Sequence, residues 1–111
     1  MVTKLKSGKQ RQLFELLMQS GPLAVSAMMD GVRVRLQGHC QLAASVQGDR
    51  LLVGDSGSQL DIDWRQVNRL EVAADRADTL SFYNGQKLLF ALQHPTAAFS
   101  PAILEMEGNL L

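Results

Sequence analysis

The 111-residue sequence lacks several features that would assign a function class directly. Its single cysteine, Cys40, excludes an internal disulfide. The formal net charge is zero, so no general attraction to nucleic acid is expected, and aromatic residues, at 5%, are few for a protein that stacks bases. Because nothing repels copies of a neutral chain from one another, the zero net charge favours association, and we expect a homo-oligomer, most simply a homodimer.

Long apolar runs are also absent. No run approaches the length of a membrane-spanning helix, and the opening residues MVTKLKSGKQRQ are polar. A signal peptide would need a basic segment followed by an apolar one, which is missing here. We therefore expect no membrane span and a cytoplasmic location. The length fits a single domain, residues 1–111, and the early lysines predict a flexible basic N-terminus over residues 1–10.

Apolar residues follow two periods along the chain. Between residues 10 and 20 they recur at helical spacing. Leu23 to Met29 is a short apolar run, and from Val32 onward apolar residues occupy every second position in short runs, with Asp30-Gly31 and Asn84-Gly85 as hairpin turn signals. Ser100-Pro101 then marks the start of a C-terminal helix. The pattern predicts an α+β fold: an antiparallel meander sheet of seven to eight short strands with an N-terminal and a C-terminal helix.

Three local predictions refine this sheet. Gly38 interrupts the alternation, so a strand is expected to end there. Residues 73–78 are polar and are expected to form a loop. After the last hairpin turn, Leu88, Phe90 and Leu92 alternate with other residues and are expected to share one face.

Asp55-Ser56-Gly57 matches the Asp-Ser/Thr-Gly loop in which aspartic peptidases hold one of two carboxylates that share a proton. A chain of this size would take the second aspartate from a homodimer. The motif keeps open a dimeric aspartic-type hydrolase using Asp55. The alternative is a polar hairpin loop whose aspartate caps its own backbone. Asp61 and Asp63 alternate on a predicted strand, as either a cation-binding pair or a solvated strand face would.

Soft metal ligands are scattered. The chain has His39, Cys40 and His94, whereas a tetrahedral zinc site needs four ligands at short paired spacings. Cys40 with His94 as its base would suit nucleophilic catalysis, but no residue pattern orients that pair. We therefore predict neither a structural zinc site nor catalytic residues, and expect a protein that is not an enzyme.

One segment alternates aliphatic with basic residues. Val32, Val34 and Leu36 take one face of a predicted strand, and Arg33 and Arg35 take the other. With the N-terminal lysines, these arginines could form a basic stripe. The shortage of interleaved aromatics argues against nucleic-acid binding by that stripe.

Three stretches resemble the cytosolic haem-utilisation carriers of the HutX, ChuX and HemS type. They are LFELLMQSGPLAVSAMMDGVRVRLQG, DRLLVGDSGSQLDIDWRQVNRLEV and DTLSFYNGQKLLFALQHPTAAF, and the resemblance covers residues 13–106. It implies a haem held between subunits or sheet faces. The family's histidine before the hairpin turn falls at about Met28, so the resemblance implies Met28 or His39 as iron ligand, with Arg33 or Arg35 pairing with the propionates.

A second stretch, LDIDWRQVNRLEV, followed by a hairpin and a C-terminal helix, is similar to pleckstrin-homology-like bacterial modules. That similarity implies an interaction or self-association module without a ligand. The leading expectation is a non-enzymatic, haem-carrier-like protein holding an apolar planar ligand on a sheet face. The interaction module is its first alternative, and the Asp55 hydrolase is its second.

Overall fold

The computed structural model describes residues 8–29, 31–45, 48–55, 57–73 and 75–110. Within them lie two helices, one 3-10 turn and eight strands. In chain order these are α1 (Gly8–Met18), β1 (Leu23–Met29), β2 (Val32–Ser45), β3 (Gly48–Gly54), β4 (Gln59–Asp63), the 3-10 turn (Trp64–Gln66), β5 (Arg69–Ala73), β6 (Arg76–Asn84), β7 (Lys87–Gln93), α2 (Pro101–Leu104) and β8 (Gly108–Asn109). The prediction of an α+β fold with an antiparallel sheet and two helices is confirmed.

The sheet is open and consists of two antiparallel meanders side by side. Its strand order is β4-β3-β2-β1-β7-β6-β5-β8. Each meander follows from hairpins between neighbouring strands, which the turn signals predict. The two meanders join where residues 24–26 of β1 pair with residues 91–93 of β7. Neither described helix is both long and apolar enough to cross a membrane.

The core lies between one face of the sheet and the helices. Its fully buried large side chains are Trp64, Phe14, Phe82, Phe90, Leu13, Leu17, Leu23, Leu51, Leu70, Leu80, Leu92 and Ile103. Four aromatic rings form a continuous row through it. The ring centroids of Phe14 and Trp64 are 6.3 Å apart, those of Trp64 and Phe82 are 5.8 Å apart, and Phe82 stacks on Phe90 at 4.6 Å.

Helix α1 begins at Gly8, earlier than its apolar period indicates, so residues 8–10 of the segment predicted as a flexible N-terminus are helical. Gln10 explains the extension. Its side chain is fully buried, and its Nε2 donates a 2.6 Å hydrogen bond to the Val67 carbonyl. In return, the Trp64 indole nitrogen donates to the Gln10 carbonyl at 3.2 Å. The spacing of apolar residues cannot predict buried hydrogen bonds of this kind.

The prediction that a strand ends at Gly38 is wrong, because β2, which has 14 residues in all, continues through it to Ser45. Gly38 instead marks a change of partner. Residues 32–38 pair with β1 up to this point, and residues 39–45 pair with β3 beyond it. A Cβ atom at Gly38 would lie only 2.1 Å from the carbonyl oxygen of Gly54, so glycine is required by this close backbone approach.

Two further strand predictions need correction. Residues 73–78 are not all loop, because Ala73 ends β5 and β6 already begins at Arg76. Leu88 does not share a face with Phe90. A register shift places Phe82 opposite Phe90 and Tyr83 opposite Leu88, so Leu88 turns to the other side of the sheet and is 49% exposed.

The β5 end of the sheet is covered. Helix α2 starts after Ser100 as predicted but ends at Leu104, and the chain then forms β8 against β5. Directly before β8 in the chain, a Glu107 carboxylate oxygen accepts a 2.8 Å hydrogen bond from the Val72 amide. A short strand and an acidic side chain therefore protect this edge from pairing with another chain.

Candidate functional site

The residues predicted to hold a ligand lie along the β1–β2 hairpin. Arg33, Arg35 and His39 occupy alternate positions of β2 and are all exposed, so they share the sheet face opposite the core. Met28 lies opposite Arg33 in the backbone register. The structure thus brings both arginines to one face, as the alternation predicts, and places His39 on the same face because β2 continues through Gly38.

The same geometry separates the two predicted iron ligands. Arg33, the register partner of Met28, lies about 20 Å from His39 along β2, at roughly 3.3 Å per residue. Axial ligands of one haem bind the same iron from opposite sides. Met28 and His39 therefore cannot serve one iron together within a single copy of the chain.

A shallow groove adjoins Arg35. Its volume is about 400 Å³, and its lining residues are Ala24, Arg35, Leu36, Gln37, Gln93 and Pro95. Across it, Arg35 Nη2 donates a 3.3 Å hydrogen bond to Gln93 Oε1. This volume is at the lower end for small-molecule sites, and the groove opens widely to solvent.

The first half of β2 also has a free backbone edge. Residues 32–38 pair with β1 on one side. On the other side, β3 pairs only from His39 onward, and no other strand among the described residues lies beside residues 32–38. We call this side of residues 32–38 the β2 edge. Its open N–H and C=O groups can accept the backbone of another strand.

Side chains along the β2 edge alternate in chemistry. Val32 is 63% exposed and Val34 is 38% exposed. Both lie on the side of the sheet that faces the core at Leu36 and its register partner Val25. Arg33 and Arg35 point to the opposite side. Neither arginine forms an ion pair with any carboxylate of the described residues. The β2 edge therefore offers exposed aliphatic groups on one face and, on the other, two arginines that have no ion pair within the described part of the chain.

Exposure of the two valines is what the sequence pattern missed. Alternation assigns Val32 and Val34 to a core-facing side, and the register confirms that side, since Leu36 pairs with the buried Val25. The valines are nevertheless exposed because β1 pairs with β7 only through residues 24–26, so the hairpin extends past the core. No local signal indicates this, because the extent of the β1–β7 pairing depends on residues far apart in the chain.

At the β4 end of the sheet, the acidic pair is already compensated. Arg50 Nε lies 2.9 Å from Asp61, and its Nη1 lies 3.9 Å from Asp63, which also binds Arg65 at 3.2 Å. Burial by itself raises the pKa of Asp63, but the hydrogen bonds from Arg65 and Gln66, together with the charge of Arg65, outweigh burial and lower that pKa overall. The described residues contain no cluster of three or more His, Cys, Asp or Glu side chains that could hold a metal ion.

The Asp55 motif forms a turn held by its own aspartate. Asp55 Oδ1 accepts hydrogen bonds from the backbone N–H groups of Gly57 at 2.8 Å and Ser58 at 2.9 Å. The Asp55 N–H donates to the Ser58 carbonyl at 2.9 Å. The prediction of a loop whose aspartate caps its own backbone is confirmed, while Ser56 lies outside the described residues.

We expect Asp55→Ala to lower the free energy of unfolding by about 1 kcal/mol, because two loop N–H groups lose their acceptor. Asp55→Asn keeps an oxygen at Oδ1 and should stay close to the unsubstituted protein. Urea denaturation followed by circular dichroism measures both. Equal losses in the two variants would show that the carboxylate charge, and not the turn geometry, is what matters.

Cys40 and His94 serve separate local roles. Cys40 is 4% exposed, and burial raises the pKa of its thiol to about 12. His94 Nδ1 accepts hydrogen bonds from the backbone N–H groups of Thr96 at 3.3 Å and Ala97 at 3.0 Å. No hydrogen bond of the described residues joins the cysteine to the histidine. A thiol held neutral by burial is a poor nucleophile.

We expect the Cys40 thiol to resist iodoacetamide at pH 8.5 in the folded protein, because the reactive thiolate hardly forms there. In 8 M urea the same thiol should react fully, since an exposed cysteine has a pKa of about 8.5. Mass spectrometry of the alkylated chain reads the result. Rapid alkylation without urea would contradict the burial of this residue.

Comparisons with known proteins supply no assignment. No protein-family model matches the chain, and no curated protein matches it significantly. The resemblances to haem carriers and to pleckstrin-homology-like modules therefore stay predictions. The function has to be argued from the geometry of the β1–β2 hairpin.

Proposed function

We propose that this chain is a non-enzymatic protein-interaction module that binds an extended segment of a partner protein along the β2 edge. The proposal depends on one observation: residues 32–38 pair with β1 on one side, and β3 pairs with β2 only from His39 onward. Strand addition supplies affinity through main-chain hydrogen bonds, and specificity through alternate side chains. On β5, by contrast, the outer side is covered, because β8 pairs with Arg69 and Leu70 and Glu107 binds the Val72 amide.

The apolar side of the β2 edge supports the proposal energetically. Val32 exposes more than half of its surface to water, and Val34 exposes more than a third. Full burial of one valine side chain contributes about 1.5 kcal/mol or more to association. A strand laid beside residues 32–38 would cover these side chains and satisfy the open backbone groups at the same time.

Selection from a displayed peptide library tests the proposal. Peptides enriched on the immobilised protein are titrated into the ¹⁵N-labelled chain, and amide shifts are mapped by NMR. We expect the largest shifts at residues 32–37. Failure to enrich any peptide, or shifts centred on other residues, would contradict the proposal.

A matched pair of variants sharpens that test. Val32→Ser removes an exposed aliphatic group at the β2 edge, whereas Leu88→Ser removes one on another part of the sheet. We expect Val32→Ser to weaken peptide binding about tenfold, and Leu88→Ser to leave it unchanged. Equal effects of both substitutions would indicate nonspecific hydrophobic binding.

A haem-carrier-like function is the second candidate, because Arg35 and its groove lie on the same exposed face as His39. In that function His39 binds the iron and Arg33 or Arg35 pairs with a propionate, while a second subunit covers the open groove. Hemin titration tests it by absorbance. A shifted Soret band that His39→Ala or Met28→Ala abolishes supports this candidate, and the spectrum of free hemin rejects it.

A further inference from the structure

A strand bound at the β2 edge would place its side chains against two different surfaces. Residues directly opposite each other on neighbouring strands have Cβ atoms about 4.5–5.5 Å apart, on the same face. Alternate residues of the bound strand would therefore lie beside Val32 and Val34. The residues between them would lie beside Arg33 and Arg35.

The face that carries Arg33 and Arg35 is suited to binding negatively charged side chains. On its β1 side, Arg35 lies opposite Ser26, and its hydrogen bond at 3.3 Å is to the neutral Gln93 amide. A carboxylate beside either guanidinium would form a charge-assisted hydrogen bond, which is stronger and can be bidentate. We propose that the β2 edge binds a segment of a different protein in which acidic and apolar residues alternate; this inference rests on the proposed function.

Pairing between the β2 edges of two copies is disfavoured by the same arginines. In that arrangement Arg33 and Arg35 of both copies would share one sheet face, where like charges repel. Charged side chains on an open edge are a common protection against such self-pairing. The occupant is therefore not a second β2.

Strand β4 of a second copy has the required alternation in its Leu60-Asp61-Ile62-Asp63 sequence, but it fits less well. Asp61 and Asp63 already lie within ion-pair distance of Arg50 in their own sheet. A β4-to-β2 contact would also be head-to-tail and would add copy after copy. A free segment of another protein meets neither difficulty.

Three synthetic peptides with blocked ends and a fluorescent label test the inference by anisotropy. The first alternates Glu with Val, the second alternates Lys with Val, and the third has the Glu and Val residues of the first in two separate blocks. We expect the alternating Glu peptide to bind at least about tenfold more tightly than either other peptide. Equal binding of all three would overturn the inference.

Charge reversal on the protein supplies the matched control. Arg33→Glu with Arg35→Glu should exchange the preference, so that the Lys peptide binds more tightly than the Glu peptide. Arg76→Glu with Lys87→Glu makes the same change in net charge at exposed positions of β6 and β7 and should leave the preference unchanged. The same loss in both double variants would overturn the inference, because it would assign the effect to overall charge.

The failures of the two proposals are distinguishable. Library peptides that shift residues 32–37 without acidic alternation would overturn the partner chemistry and leave the interaction module in place. No binding at the β2 edge by any peptide would reject both. Growth of the protein into long oligomers, measured by light scattering and abolished by Asp61→Asn with Asp63→Asn, would overturn the inference in favour of β4 from a second copy.

Discussion

Replacing Trp64 by alanine is expected to lower the free energy of unfolding by about 4 kcal/mol, the typical cost of deleting a large buried aromatic side chain. Trp64 is fully buried, lies in the middle of the aromatic row between Phe14 and Phe82, and donates a hydrogen bond to the Gln10 carbonyl. The substitution therefore leaves a cavity and also removes one of the hydrogen bonds that hold the start of α1 against the 3-10 turn. Urea denaturation followed by circular dichroism measures the loss.

A less drastic variant separates these two contributions. Trp64→Phe retains a ring against Phe14 and Phe82 but removes the indole N–H that binds the Gln10 carbonyl. We expect its loss to be roughly half that of the alanine variant, since most of the contact area remains. A loss below about 1 kcal/mol in Trp64→Ala would contradict the central position of this residue.

The second large effect is expected at Gly38. A Cβ atom there would approach the oxygen, carbonyl carbon and Cα of Gly54 to between 2.1 and 2.5 Å, and all three are backbone atoms. Backbone cannot move aside as a flexible side chain can, so Gly38→Ala must push β2 away from β3. We expect a loss of about 3 kcal/mol in the free energy of unfolding, at the upper end for overpacking.

Gly57→Ala is the matched control for this prediction. The nearest atom to a Cβ at Gly57 is the Asp55 side-chain oxygen at 3.4 Å, an ordinary contact. We expect a change within about 1 kcal/mol of zero, of either sign, because alanine also restricts the unfolded chain. If urea midpoints show equal losses at both glycines, the close approach at Gly38 is not what requires glycine there.

Local signals were sufficient to predict most of the individual elements. Alternation, turn dipeptides and the Ser100-Pro101 pair describe short-range preferences, and the strands, the hairpins and the start of α2 follow from them. Pairing between distant segments has no such signal. The contact of β1 with β7, which joins the two meanders, and the anchoring of α1 by Gln10 both depend on residues far apart in the chain.

Gly38 shows why one residue can be interpreted in two ways from sequence. Glycine weakens a strand, so it predicts an end; it also permits close backbone approach, which is its role here. The local pattern does not distinguish the two roles because the approaching residue, Gly54, lies in another strand. The extra residue Leu89, which turns Leu88 outward, is hidden for a similar reason: a bulge is defined by the partner strand.

The candidate site was predicted in part. Alternation correctly placed Arg33 and Arg35 on one face of a strand and the valines on the other. It could not show that β3 begins to pair only at His39, which leaves the preceding residues with a free edge. The hypotheses based on Asp55 and Cys40 depended on residue identity alone. In the structure Asp55 caps a turn and Cys40 is a buried core residue.

Amide hydrogen exchange along β2, read residue by residue by NMR, tests the free edge most directly. In an antiparallel sheet, successive N–H groups point to opposite sides of a strand. Over residues 32–37 we predict that every second amide exchanges rapidly, because only the side toward β1 is paired, whereas residues 50–54 of β3, which pair with β2 on one side and β4 on the other, are protected at successive positions. Uniform slow exchange over residues 32–37 would mean that the edge is already covered, and would contradict the binding surface on which the function is argued.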